Sequence, residues 1–520
     1  MGKLSNRPTN IHAPIETTGE RIPTATGGLG FGRDARSELF LLAATNMVSE
    51  QTFHETGAAR DDRFEKLIHA VVVEDPAWVA GFVPYLRDTM QMRSASIVLA
   101  AEYVHAGGPA GRAVVNAAIK RADEPGEMLG YWRARHGRAL PAAIKRGVAD
   151  ACARLYTERN VLKYDGNANA WRFADVIEAV HARPIAPWQS TLFRLLLDQR
   201  HHGDGEITFE HPTLHADQFL RLLPEDQRRD ALGGDSWLKA GWSWERLSGW
   251  LPGGMDAAAW EAVIPQMGYM ALLRNLRNFD QAGINAELVA TINKKLADPT
   301  EVAQSRQFPI RFYSAFKEIG SLRWAAALEQ ALDLSLANVP ALPGRTLILV
   351  DLSGSMWAPM SGRSKRERWE IAALFGVAIG KRAENAEVIA YGSSAARMDV
   401  LGMPLLRAVE AFDHGLGGTY TFTTLKNAYN GHDRVIILTD EQAHDAGQYD
   451  LPSCPIYTFN LAGYKAAHLD SGQRGHYTFG GLTDAAFALL PALEGTRDGH
   501  WPFPIVATAS EDFDGRAVTR

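Results

Sequence analysis

The chain has 520 residues, too many for one compact core, and at roughly 150 residues per domain it divides into two or three domain-sized parts. Hydrophobic residues make up 46% and charged residues 22%, ordinary globular usage that excludes wholesale disorder, collagen and coiled coil. With 60 acidic against 54 basic side chains the net charge is −6, so any affinity for nucleic acid has to come from a local patch.

The amino terminus, Met1 to Arg21, mixes Lys, Arg, Glu, Pro and Thr without a continuous apolar run. No stretch elsewhere approaches the roughly 18 apolar residues of a membrane span, so a protein that is neither secreted nor membrane-bound is expected. A myristoylation reading of Gly2 fails because Asn6 stands where Ser or Thr is required. Only Cys152 and Cys454 occur, far apart and outside any CxxC pair, which argues against a disulfide framework and a thiolate zinc site and fits a cytoplasmic protein. Residues 1–25 and about the last ten read as loose tails. Gly27-Gly28-Leu29-Gly30-Phe31-Gly32 follows a Pro/Thr segment rather than a strand, so it reads as a hinge or a close approach of backbones, not as a phosphate loop.

From about Arg33 to Pro340 apolar residues recur at helical spacing between Pro, Gly and Asp clusters. Helices are predicted at Phe64–Val73, Ala95–His105, Ala142–Asn160, Phe173–Ala182, Pro187–Asp198, Trp260–Arg274, Ala286–Leu296 and Ser321–Ala337. In Ala142–Asn160, Ile144, Val148, Ala151, Cys152 and Leu155 line one face, and Lys145, Arg146, Asp150 and Arg154 the other. Many short helices with short connections suggest paired-helix repeats stacked in an array.

After the Pro340–Gly344 segment the rhythm changes to short apolar strands, Thr346–Val350, Ala386–Tyr391, Arg434–Leu438 and Pro455–Leu461. Helical stretches at Arg366–Glu384, Pro404–Phe412, Phe422–Tyr429 and Thr483–Leu493 alternate with them, indicating a doubly wound, mainly parallel sheet in an α/β domain. The expected organisation is a tail at 1–25, a helical domain at 26–342 and the α/β domain at 343–520.

Asp351-Leu352-Ser353-Gly354-Ser355 follows the first of these strands directly, at the carboxyl end where ligands gather in such sheets. A carboxylate and two hydroxyls at alternate positions of a tight loop supply hard oxygen donors of the kind that hold Mg2+ or another small divalent cation. Two later loops offer compatible oxygens, Thr419 after Gly415-Leu416-Gly417-Gly418 and Asp440 after the strand Arg434–Leu438. This pattern resembles the metal-ion-dependent adhesion site of von Willebrand factor A domains, which implies that Asp351, Ser353, Ser355, Thr419 and Asp440 are the metal-binding set. A hydrolase reading of Ser353 or Ser355 lacks the Gly-x-Ser-x-Gly elbow and an identifiable histidine partner, so no enzyme is expected.

The helical half has its own resemblance. Leu162-Lys163-Tyr164 followed by Trp171 and His181, and Met270-Ala271-Leu272-Leu273-Arg274-Asn275-Leu276-Arg277-Asn278, look like segments of the TROVE module. That module joined to a carboxyl-terminal A domain is the layout of the Ro ribonucleoprotein autoantigen family, and the chain resembles a bacterial- or phage-type member. The resemblance implies a ring of HEAT-like helical repeats closed by the A domain. It also implies binding of a small noncoding Y-like RNA on the outer face and of misfolded RNA with a single-stranded 3′ end in the hole, for RNA quality control. A monomer is expected, with an exoribonuclease or another protein engaged through the metal site.

Lys163 and His181 match positions that contact RNA in that family, and the run between Lys163 and Trp171 contains Asp165. Independently of the resemblance, Arg133, Arg135, Arg138, Lys145, Arg146, Arg154, Arg159 and Lys163 face only Asp150 and Glu158 between positions 133 and 163. Such a local excess suits phosphate contacts, and the candidate RNA-binding residues are Arg133, Arg135, Arg138, Lys145, Arg146, Lys163 and His181. The alternative function is a metal-dependent protein-adhesion scaffold in which RNA plays no part. Trp237, Trp242, Trp244, Trp250 and Trp260 read as helix packing rather than base stacking, and His201, His202, His211 and His215 as an exposed loop rather than a zinc site. Arg274 and Asn275 serve equally to join helices or to touch RNA.

Overall fold

The computed structural model describes residues 17–24, 28–45, 56–90, 92–166, 168–203, 207–305, 307–360, 364–446, 451–469, 475–480, 490, 501 and 503–505. By contacts these divide into two compact units. One comprises the described residues of Met1–Val71, Asp88–Ala95 and Asn293–Pro504, the other those of Val72–Arg87, Ser96–Ile292 and Ile505–Arg520. The switch from helices to strands falls at Leu342, as the change of rhythm predicts, but the compact units do not divide there: the helices after Asn293 and the amino-terminal residues pack with the sheet. The Tyr313 hydroxyl, for example, donates to the buried Glu370 carboxylate at 2.9 Å. Among the described residues no helix is long and apolar enough to cross a membrane, and both cysteines are buried free thiols.

The helical unit is built from short amphipathic helices. Ala142–Leu155 buries Ile144, Gly147, Val148, Ala151 and Cys152, the expected face, against the helix Gly111–Ala118. The approach is close because the contact residues are small: a Cβ on Gly147 would lie 2.7 Å from the Arg112 carbonyl oxygen, and one on Gly111 2.8 Å from Ala143 Cβ. The helix ends at Leu155, not Asn160; Tyr156 turns extended, stacks on Phe173 at 3.9 Å, and Thr157 caps the next helix, Glu158–Tyr164. Trp260–Arg274 is likewise not one helix. Pro265 and Gly268 interrupt it, leaving Ala257–Val263 and Tyr269–Ala282. The tryptophans pack as expected, with Trp242 against Trp250 at 5.1 Å and Trp260 against Phe279 at 4.9 Å.

The other unit holds a two-stranded antiparallel hairpin, β1 (Thr17–Pro23) and β2 (Leu29–Arg33), and a six-stranded sheet. Thr17–Pro23 is therefore a strand and not part of a loose tail. The sheet strands are β3 (Leu342–Asp351), β4 (Ala383–Tyr391), β5 (Ala395–Arg397), β6 (Arg434–Thr439), β7 (Ile456–Asn460) and β8 (His476–Gly480), ordered β5-β4-β3-β6-β7-β8. All pairs are parallel except β4 with β5. Leu347 to Val350 and Val435 to Leu438 are wholly buried, as the central strands of a sheet covered on both faces must be. The helices Arg368–Arg382, Leu405–Glu410 and Thr421–Ala428 match their predicted positions to within a few residues. The predicted helix Thr483–Leu493 lies, Leu490 apart, outside the described residues. From β3 the chain moves outward through β4 and β5 and returns on the opposite side as β6, so the carboxyl ends of β3 and β6 flank the point where strand order reverses.

Candidate functional site

Both metal-motif carboxylates stand at that switch point. Asp351 ends β3, Asp440 follows β6, and both are fully buried. The three hydroxyl residues are buried too: Ser353 is 1%, Thr419 2% and Ser355 7% exposed. The first loop is tightened by the Ser353 N–H, which donates to Asp351 Oδ1 at 2.8 Å, and the hydroxyls of Ser353 and Ser355 meet at 3.5 Å. The glycine-rich loop is laced to it, since Gly354 N–H donates to the Gly417 carbonyl at 2.9 Å and Leu416 N–H to that of Leu352 at 3.1 Å. Gly417 has φ 78°, a left-handed conformation that glycine adopts without steric cost. His444 N–H in turn donates to the Thr419 carbonyl at 2.8 Å, joining the second loop to the third.

Asp351 Oδ2 accepts the Thr439 hydroxyl at 2.6 Å, and Asp440 Oδ1 accepts the Gln442 N–H at 3.2 Å. Burial, and after it the charge of Asp440, push the Asp351 carboxyl up to about 7. Two buried, mutually repelling carboxylates beside three hydroxyls are an array that a hard divalent cation would neutralise, with no nitrogen or sulfur donor in the set. Among the described residues no group of three or more His, Cys, Asp or Glu side chains is placed to hold a metal ion. His201, His202, His211 and His215 do not form one exposed loop: His211 is buried at the start of the helix Pro212–Leu222, while His201 ends the helix Pro187–His201 and pairs with Glu178 at 2.8 Å.

The basic residues sit at helix ends and in the connection between two helices. Arg133 and Arg135 lie in the last turn of Glu124–His136, Arg138 in the connection, Lys145 and Arg146 in the first turns of Ala142–Leu155. All are exposed except Lys145, which is half-buried. Cations near a helix carboxyl end are also favoured by its dipole. Lys163 is exposed at the end of Glu158–Tyr164, its ammonium 5.1 Å from the Tyr164 ring. The Arg133 guanidinium lies over the Trp171 ring at 4.4 Å, joining the end of its helix to the segment that leads to His181. Trp171 packs on Gly126, where a Cβ would come within 2.8 Å, and with Arg133 it borders an open pocket of about 380 Å³ whose wall also carries Asp175 and Glu178.

His181 is exposed and caps the helix Phe173–Val180 with φ 53° and ψ 48°. A residue other than glycine costs about 1 kcal/mol in that left-handed conformation, and such outliers gather at functional positions. Asp165 is not a bare charge. Its carboxylate accepts from the Arg172 guanidinium at 2.8 and 3.0 Å and from the Phe173 N–H at 2.9 Å, closing the loop before the helix.

Two of the eight basic residues serve the helices instead: Arg154 donates to the carbonyls of Asn116 (3.1 Å) and Ile119 (2.7 Å), and Arg159 lies over Gly241. Asp150 is engaged by Arg112 at 2.7 Å. Asn275 is buried and donates to the Ala271 carbonyl of its own helix at 2.8 Å, whereas Arg274 is exposed. Sequence reasoning did not assign Trp171 or Tyr164 to the basic site; a tyrosine beside Lys163 at the end of a helix and a tryptophan in the connection that follows were the available signal.

Residues 237–324 match the TROVE domain. Telomerase protein component 1 of Mus musculus is 38% identical over 71 residues, which is 13% of this chain and 3% of that relative's length. In fold, the chain is similar to the crystal structure of the Ro (RSR) protein of Deinococcus radiodurans, with a TM-score of 0.62 at 16% identity over 88% of this chain and 100% of that one. Lys163 and His181 lie outside the matched TROVE residues, and Asn275 inside them. The chain thus carries a match to the TROVE domain in its helical region and, with the mostly parallel six-stranded α/β domain that follows, has a fold similar to that of a Ro protein.

Proposed function

We propose that this chain is a non-enzymatic RNA-binding protein of the Ro type, acting in RNA quality control. The observation that carries the proposal is the run of exposed basic side chains Arg133, Arg135, Arg138, Arg146, Lys163 and His181, with Arg133 stacked on Trp171 and Lys163 over Tyr164. Guanidinium and ammonium groups hold the phosphates, and the aromatic rings of Trp171 and Tyr164 offer surfaces for unpaired bases. The ligands fitting these side chains and the Ro-like layout are a small noncoding Y-like RNA and misfolded RNA with a single-stranded 3′ end, bound in the cytoplasm by a monomer. Asp351, Ser353, Ser355, Thr419 and Asp440 would hold a divalent cation, Mg2+ by the hardness of the donors, for structure or for engaging a carboxylate of a protein partner such as an exoribonuclease.

RNA crosslinked to the protein in its native cells is sequenced beside a variant with Lys145, Arg146 and Lys163 changed to Glu. A discrete small RNA, or a population with single-stranded 3′ ends, should be enriched with the wild type and lost in the variant. Equal background RNA in both samples would overturn the proposal. The second reading, a metal-dependent protein-adhesion scaffold, is favoured by the array of hard oxygens alone, and it requires that Asp351→Ala release a protein partner while RNA recovery stays the same.

A further inference from the structure

The amino-terminal hairpin is fastened to the loop that carries Asp440, some four hundred residues away in the chain. Arg33, the last residue of β2, is buried; its guanidinium pairs with the carboxylate of Glu441 and donates to the carbonyls of Tyr464 at 3.1 Å and Lys465 at 3.0 Å. Glu441 follows Asp440 directly, is fully buried, and stands at φ 64°, in the left-handed region that favours glycine. Its carboxylate also accepts from the Asn460 side-chain amide and from the His468 N–H at 3.4 Å.

The Glu441 N–H donates to the Thr439 hydroxyl oxygen at 3.0 Å, and that hydroxyl donates to Asp351 Oδ2 at 2.6 Å. One residue is thus connected to both acids of the candidate metal site, to Asp440 by the peptide bond and to Asp351 through the Thr439 hydroxyl. The hairpin has further anchors. Phe31 and Ala467 exchange backbone hydrogen bonds at 2.8 and 2.9 Å, and a Cβ on Gly28 would fall 2.1 Å from the Ala443 carbonyl oxygen.

We propose that Arg33 and Glu441 are positioning residues for the cation site, so that docking of the amino-terminal hairpin and binding of a divalent cation are linked. The inference rests on the metal reading given under Proposed function. A left-handed glutamate persists only where its surroundings over-determine it, and here the surroundings are the Arg33 fork and the Asn460 amide. With Arg33 undocked, Glu441 relaxes, the turn from Thr439 to Gln442 reorients, and the two carboxylates lose their common focus. Linkage is reciprocal, so the cation must tighten the hairpin by the same factor as the hairpin tightens the cation.

The test uses the full chain. Titration calorimetry with Mg2+ and with Mn2+ compares wild type, Arg33→Met and the conservative Arg33→Lys. In parallel, amide exchange at Phe31 and Ala467 of the wild type is followed with and without saturating Mg2+. The expected result is at least tenfold weaker cation binding in R33M, a smaller loss in R33K, and slower exchange at both amides when Mg2+ is present. Cation binding by the wild type with unchanged affinity in R33M, or with exchange indifferent to Mg2+, overturns the linkage and leaves the metal site standing. No binding of either cation by the wild type overturns both. Should R33M fail to fold, as a buried glutamate without its counter-charge makes feasible, the wild-type exchange measurement decides by itself.

Discussion

The metal loops and the basic side chains of the helical unit are built on opposite terms. At the sheet, Asp351, Ser353, Thr419 and Asp440 are each no more than 2% exposed and are held by backbone hydrogen bonds running between three loops. In the helical unit, Arg133, Arg135, Arg138, Arg146 and Lys163 are exposed at helix ends and in a connection, with Arg133 and Lys163 resting on aromatic rings. A cation needs several oxygens focused on one point, which only over-determined loops supply. A phosphate chain needs charge along a surface and tolerates mobile side chains. Short motifs therefore encode the first, whereas only exposure reveals the second: Arg154 and Arg159 count as basic yet serve to hold helices together.

The sharpest break of this contrast is at Asp351. Asp351→Ala should abolish Mg2+ binding, at least a hundredfold by calorimetry, and leave RNA recovery unchanged. The same residue sets a pH dependence without metal. Its raised carboxyl, ordinary at 3.8 and near 7 in the fold, contributes stability present below pH 3.8 and lost as pH rises through about 7. The melting temperature should fall toward alkaline pH in chelator, and the fall should vanish in Asp351→Asn and on adding Mg2+. His468, driven down to about 4 by burial, gives the opposite arm, stability lost as pH falls from 6.5 through about 4, which His468→Gln should remove.

Among the basic side chains, the variant with Lys145, Arg146 and Lys163 changed to Glu should flatten the plot of log affinity against log salt by about 2 units for single-stranded RNA, three contacts at roughly 0.7 each. A smaller effect belongs to Asp165→Ala. Loss of the Arg172 pair and the Phe173 N–H bond should cost about 2 kcal/mol in urea unfolding, with RNA affinity not improved, because the carboxylate is already neutralised. The smallest is His181→Gly, which relieves the left-handed conformation and should stabilise the protein by about 1 kcal/mol while weakening RNA recovery. If RNA recovery survives this change, His181 belongs to the helix cap and not to the RNA face.

Much of the architecture was legible because it rests on local periodicity. The apolar face of the helix at Ala142, the four central strands and the order of the metal-motif residues all follow from neighbouring side chains. Places where periodicity continues through a break were misread: the helical pattern runs past Leu155 and across Pro265. The short, exposed β5 carried too little apolar signal to be recognised, and Thr17–Pro23 becomes a strand only through its partner β2.

By itself the amino-acid order determined which residues carry hard oxygens and which carry positive charge, since both are properties of residue type and spacing. Tertiary structure alone decided that Asp165 is neutralised, that Arg133 stacks on Trp171, and that Arg33 meets Glu441. Those pairings join residues distant in the chain or depend on how loops close over them. Local propensity has no term for either; the packing of already formed elements creates the contact.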